Sequence, residues 1–175
     1  MRLDNVDNVD NVDRILFESD PDEVHRQELE KTGFWGKKGA GCLLYSVQTD
    51  TFLFLQRSAV VEQPHTWNLA GGAIDPEENS KKAAIRELYE ETQINVSEQN
   101  THLIHTYKDD NSSFVFFNFL SVIDNEQQPV LNWENKDYVW ESIDNHPEPL
   151  HFGLKEFLFD QKVLEKIKNI IDKYQ

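Results

Sequence analysis

Basic residues are scarce in this chain: 17 Lys and Arg stand against 32 Asp and Glu, for a net charge of −15 over 175 residues. That balance excludes a broad electrostatic grip on DNA, which needs a basic surface, and disfavours long RNA. A small nucleotide remains open as a ligand, because a bound cation inverts the local charge. Cysteine is nearly absent. The single Cys42 cannot form an internal disulfide, which favours a reducing, cytoplasmic setting. Lying in an apolar run, it reads as a small buried hydrophobe rather than a nucleophile. No apolar run approaches the roughly 20 residues of a membrane span, and the acidic N-terminus lacks the apolar stretch of a secretory signal. The Ser and His residues form no nucleophile triad by local motif. Aromatics are plentiful, with 11 Phe, 4 Trp and 5 Tyr to fill the core of one domain.

The charge is unevenly spread. Residues 1–30 hold ten acids and three bases, about half of the net charge. They open with a three-residue repeat, Asp4-Asn5-Val6 through Asp10-Asn11-Val12, whose period fits neither a strand nor an α-helix. Residues 1–33 therefore read as an acidic, partly low-complexity segment, with a short helix allowed from Asp20 to Lys31 behind Pro21. The globular part runs from 34 to 175. Gly36, Gly39 and Gly41 are expected to break the chain before a strand at Cys42–Val47. Thr51–Arg57 forms a hairpin with it around Gln48-Thr49-Asp50. A short strand, Thr66–Ala70, leads into Gly71-Gly72, and a helix follows from Ser80 to Thr92. Strands at His102–Tyr107 and Ser113–Ile123 pair around a turn at Lys108–Ser112, and Tyr138–Glu141 is a further short strand. A closing helix, Val163–Tyr174, carries the stripe Val163, Ile167, Ile170 and Tyr174. The order predicts an α/β (α+β) fold with helices packed on a mixed sheet.

The Ser80–Thr92 helix carries Glu87, Glu90 and Glu91 at i, i+3 and i+4, hence on one face. With Glu87 at zero, Glu90 falls near 300° and Glu91 near 40°, while Ile85, Leu88 and Thr92 lie between about 100° and 160°. The apolar side is expected to be buried, with the carboxylates facing elsewhere. Ala83 and Ala84, one turn earlier on the carboxylate side, leave room for ions or a neighbouring segment. Arg86, four residues before Glu90, can orient it. Such Glu-rich faces are commonly solvated surface. A hard divalent cation with a phosphate-bearing substrate is the alternative that gives mutually repelling carboxylates a purpose. Gly71-Gly72 just ahead, where backbone can approach a ligand closely, favours it.

The run from Gly72 to Ile94 resembles the signature of the Nudix hydrolases: Gly, five residues, Glu, seven residues, then Arg-Glu-aliphatic-any-Glu-Glu-any-Gly-aliphatic. Gly72, Glu78, Arg86, Glu87, Leu88, Glu90, Glu91 and Ile94 match. Gln93 stands where the family has glycine. Either it takes the left-handed conformation at a cost of about 1 kcal/mol, or the helix ends differently. The resemblance implies an α/β/α sandwich with a mixed sheet. It also implies an enzyme that hydrolyses a nucleoside diphosphate linked to a moiety X with Mg²⁺ or Mn²⁺. Nucleotide sugars, ADP-ribose, (d)NTPs, dinucleoside polyphosphates and capped RNA all remain open as substrates, and a catalytically idle nucleotide-binding module is the further alternative. Carried over by position, Glu87, Glu90 and Glu91 are metal ligands, with the Gly71 carbonyl as a further one. Arg86 orients Glu90, and Glu78 supports the loop or a further metal. The general base is a box glutamate or a loop carboxylate outside it, for which Glu134 is the candidate.

Arg57, ending the second strand, reads as a phosphate contact or a surface cap. Trp67, beside the glycines, stacks a base or fills core, and Gly72 permits close approach of substrate. His65 reads as surface, and Asp109, Asp110 and Asn111 as turn residues. His151 to Leu154 reads as a loop lining the cleft. A small-molecule substrate is the expected partner, with a homodimer allowed and no membrane.

Overall fold

The computed structural model describes residues 38–108 and 113–175. The expectations for the acidic segment, for Gly36 and for the Asp109-Asp110-Asn111 tip lie outside those residues.

Strands β1 (Lys38–Ser46) and β2 (Thr51–Arg57) form the expected hairpin, with Leu44 opposite Leu53 and Ser46 opposite Thr51. Asp50 turns the chain at a left-handed φ of 56° and accepts a hydrogen bond from the Tyr45 hydroxyl at 2.8 Å. Two short strands follow, β3 (Trp67–Asn68) against β2 and β4 (Ala70–Ala73) against β1. Helix α1 spans Ser80–Thr92. Strands β5 (Thr101–Lys108) and β6 (Val115–Ile123) pair antiparallel, and β6 runs parallel to β1 from Lys38 opposite Val115 to Ser46 opposite Ile123. Strand β7 (Asn135–Glu141) adds to β2, and α2 (Phe152–Leu158) and α3 (Gln161–Ile171) follow.

The seven-stranded sheet is mixed, in the order β3-β2-β1-β6-β5. Burial on both faces explains why β1 and β2 are apolar without alternation. Cys42, Leu44, Leu53, Leu55 and Phe119 pack on one side with Ala83, Ala84 and Leu88 of α1. Leu43, Tyr45, Phe52, Phe54 and Leu120 pack on the other with Leu154 and Phe157 of α2 and Val163 and Ile167 of α3. Each large side chain so buried contributes about 1.5–3 kcal/mol. This is the α/β/α sandwich expected from the sequence.

The sheet forks. Strand β6 occupies one edge of β1 along its whole length, so β4 and β2 must share the other. Strand β4 takes Gly39–Cys42 and β2 takes Leu44–Ser46. One branch ends in β4; the other carries β2, β3 and β7.

Several local expectations change. Gly39 and Gly41 lie within β1 and do not break it, being paired with β4 and β6 on its two edges; the Phe116 ring takes the place of a side chain at Gly39, and Leu69 with Phe116 does so at Gly41. Gly71 and Gly72 lie inside β4 rather than after a strand. His151–Leu154 is not a cleft loop: His151 caps α2 by accepting from the Gly153 N–H at 3.2 Å, and Leu154, Phe157 and Leu158 are its buried side. Strand β7 begins three residues early, and α3 ends at Ile171, leaving Tyr174 to pack from the turn beyond.

Candidate active site

Helix α1 starts where the Asn79 side chain accepts from the Lys82 N–H at 2.9 Å. It ends where Gln93 takes a left-handed φ of 58° and its N–H reaches the Tyr89 carbonyl at 2.7 Å. Two further terminal carbonyls are met from outside the helix. Val130 N–H donates to Thr92 O at 2.8 Å and Asn132 N–H to Glu91 O at 3.3 Å. Residues 130–135 are thereby strapped across the helix end, and Glu134 and Asn135 come with them.

The carboxylate side of α1 does not face away from the core. Ala83, Glu87 and Glu91 form one i, i+4 line, and all three are buried. Ala83 and Ala84 make room for the sheet itself. Glu87 lies over β4, where a Cβ on Gly72 would stand 2.7 Å from its carboxylate. Glu90 remains at the rim, its side chain 53% exposed.

Arg86 forks among these acids. Its Nη1 donates to Glu87 Oε1 at 2.7 Å, its Nη2 to Glu78 Oε2 at 3.0 Å and to the Ala73 carbonyl at 2.9 Å, and its Nε to Glu78 Oε1 at 3.1 Å. The Glu90 oxygens are farther from Nη1, at 3.4 Å. Arg86 therefore grips Glu87 and Glu78 more closely than the Glu90 it was expected to orient. Glu78 also accepts from the Asp75 N–H at 3.3 Å, so it ties the loop before α1 to the helix.

Glu91 spans the fork of the sheet. Its Oε1 accepts from the Gly71 N–H of β4 at 2.7 Å, and its Oε2 from Asn135 Nδ2, at the start of β7, at 2.5 Å. Asn135 pairs with Arg57 of β2. Arg57 is no surface cap: it is half-buried, its Nε donates to the Glu62 carbonyl at 2.6 Å, and the charges of Glu91, Glu62 and Glu134 act on it. Glu134 is held by Asn132, whose Nδ2 donates to its Oε1 at 3.3 Å, and by the Ser58 N–H on its carbonyl at 2.8 Å.

Burial sets the protonation of the site. Desolvation pushes the Glu91 carboxyl up to about 8, aided by the Glu134 and Glu87 charges and opposed by the Gly71 and Asn135 donors. Desolvation likewise raises Glu87 to about 6 against the pull of Arg86. Partial burial pushes Glu78 up too, but Arg86, the Asp75 N–H and the Lys82 charge outweigh it and hold Glu78 below the usual range. Hydrogen bonds and charge from Glu78 and Glu87 hold the Arg86 guanidinium firmly protonated despite desolvation. Buried carboxylate oxygens that oppose one another's charge suit a hard divalent cation. Among the described residues no three His, Cys, Asp or Glu side chains are gathered closely enough to hold a metal ion. The Glu87 and Glu91 oxygens point instead to protein donors.

Trp67 packs against the α2–α3 side of the core, its backbone bracketed by Pro149 O and His151 N–H, both at 2.8 Å. His65 is exposed, as expected. Cys42 is buried, donates to Ser121 Oγ at 3.0 Å, and burial pushes its thiol up to about 12, fitting an inert core residue. Asn135 escaped the sequence, where nothing separates it from an ordinary turn asparagine.

The mixed sheet with flanking helices is a fold shared with known proteins. The chain belongs to the NUDIX domain family, whose model matches residues 36–161. More particularly, it is a Nudix pyrophosphohydrolase. A dihydroneopterin triphosphate diphosphatase of Haemophilus influenzae is 30% identical over 115 residues, covering 57% of this chain and 70% of that protein. The same fold is found in the NUDIX domain of Shewanella oneidensis NrtR complexed with ADP ribose, with a TM-score of 0.59 and 19% identity over 74% of this chain and 87% of that one. It recurs in an Ap4A hydrolase of C. elegans, with a TM-score of 0.56 and 22% identity over 77% of this chain and 98% of that one. No helix among the described residues is long and apolar enough to cross a membrane.

Proposed function

We propose that the chain hydrolyses a phosphoanhydride bond in a nucleoside diphosphate linked to a further moiety X, such as a nucleotide sugar or ADP-ribose, using Mg²⁺ or Mn²⁺. The observation that carries this reading is Glu91, buried across the fork of the sheet with Glu87 beside it on the same helix line and Glu90 at the rim. Glu87, Glu90 and Glu91 would hold the cation, together with the Gly71 carbonyl. When bound, it activates water and stabilises charge on the bridging and leaving oxygens.

The chain's own groups do the rest. Arg86 fixes Glu87 and Glu78. Glu90 or Glu134 takes the proton of the attacking water. Arg57, half-buried among acids, meets a substrate phosphate once a cation has offset their charge. Gly72 leaves room for Glu87 to lie over β4 rather than for substrate, and Trp67 packs on the other side of the sheet with the α2 and α3 side chains. Residues 34–175 form the hydrolase domain, and a cytoplasmic setting fits the buried unpaired Cys42. A second reading, a nucleotide-like triphosphate as substrate, is favoured by the likeness to the Haemophilus influenzae enzyme.

A panel of nucleotide sugars, ADP-ribose, (d)NTPs, dinucleoside polyphosphates and dihydroneopterin triphosphate, with Mg²⁺ or Mn²⁺ and product identification, tests the proposal. Turnover of a diphosphate-X compound is expected, falling about a hundredfold or more in Glu90→Gln. A folded protein that cleaves no member of the panel, or whose Glu90→Gln variant keeps full turnover, overturns it. The first result would leave a nucleotide-binding module without turnover.

A further inference from the structure

We propose that Asn135 is a positioning residue for Glu91: its side-chain amide, brought onto the α1 side of the sheet by a bulge in β7, fixes the carboxylate plane for cation binding. This rests on the reading of the carboxylate face given above.

The bulge is visible in the register. On β2, Leu53, Leu55 and Arg57 share one side by alternation, and Leu53 and Leu55 pack with α1. On β7, Trp140 lies opposite Leu53 and Tyr138 opposite Leu55, so they share that side, and alternation assigns Lys136 to it next. The pairing slips instead. Gln56 faces Asp137, but Arg57 faces Asn135, and Lys136 is the extra residue. Bulges commonly re-aim a side chain beside a site. Here the result is that Asn135 is buried and reaches Glu91, while Lys136 is exposed. A lysine there would neutralise Glu91 as a fixed cation. A neutral amide supplies a donor without placing a fixed positive charge beside Glu91.

The geometry of Glu91 completes the argument. An ionised carboxylate has about four lone-pair sites. One donor sits on each oxygen, Gly71 N–H on Oε1 and Asn135 Nδ2 on Oε2, and they come from opposite branches of the fork. Two such anchors fix the carboxylate plane and leave a lone pair on each oxygen for a cation. Partners of this kind, which hold a ligand without touching the ion, change metal affinity or activity by about 10–100-fold when lost.

The test uses Asn135→Leu, which keeps the side chain's size and removes its donor. Three measurements are made on the full chain: Mn²⁺ binding to the metal-free protein by electron paramagnetic resonance, kcat and KM on the best substrate of the panel, and thermal unfolding in chelator. Mn²⁺ affinity and kcat are expected to fall about 10–100-fold, with KM changed less than about threefold. A folded Asn135→Leu protein with Mn²⁺ affinity and kcat within about threefold of the parent overturns the proposal. Should that variant not fold, Asn135→Ser, whose hydroxyl stops short of Glu91, is read by the same two outcomes. Loss of turnover in Glu90→Gln without loss in either Asn135 variant removes this inference and leaves the site assignment standing. Full turnover in Glu90→Gln removes both.

Discussion

Gln93 shows what one residue costs. The end of α1 requires a left-handed residue, and the chain supplies glutamine at φ 58°. A Cβ in that conformation costs about 1–2 kcal/mol, while glycine adds about 0.5–1 kcal/mol of chain entropy. Gln93→Gly is therefore expected to raise stability by up to about 1 kcal/mol, read as a higher urea midpoint at unchanged slope. A lower midpoint would mean that the Gln93 side chain makes a contribution larger than its strain. The ring of His105 is equally specific. It stacks on Phe157 with centroids 5.7 Å apart, and its Nδ1 lies 3.2 Å from Asn118 Nδ2.

At the scale of elements, the site depends on how closely α1 lies on β4. Gly72 has no room for a methyl group, since its Cβ would stand 2.7 Å from all three atoms of the Glu87 carboxyl group. Gly72→Ala should displace Glu87 from its bond with Arg86 and lower kcat by about 10–100-fold. Gly153, in α2, is the control. A Cβ there meets nothing closer than 3.4 Å, so Gly153→Ala should be neutral or stabilising by about 0.5 kcal/mol. Equal loss of kcat in both variants would show that close packing at Gly72 is not what positions Glu87. The carboxylate face was legible because its spacing is helical, and the run from Gly72 to Ile94 because it resembles a known signature. Helix α2 was not: it has seven residues and includes a glycine, too little to separate from a loop.

The molecule as a whole shows its stability through pH. Burial holds His105 below its usual 6.5, against the opposing charges of Asp160 and Glu156. The unfolded chain therefore takes up the proton first. The stabilising contribution is present above 6.5 and is lost as pH falls through the lower folded value. Relative to His105→Asn, the parent should therefore lose midpoint stability as pH falls below about 6.5, read as a difference between the two profiles. An unchanged profile in the variant would assign the acid sensitivity to other groups.

The sequence by itself determined the helix from Ser80 to Thr92, the order of most strands, and the placing of Glu87, Glu90 and Glu91 on one helix face beside Arg86. These are local or periodic features, set by neighbours a few residues away. Only the tertiary structure decided which face of α1 is covered and that the sheet forks beside Leu43. It also decided that a bulge brings Asn135, 44 residues along the chain, onto Glu91. Those outcomes depend on which backbone groups pair across the sheet, and strand pairing leaves little mark on the residues of either strand alone.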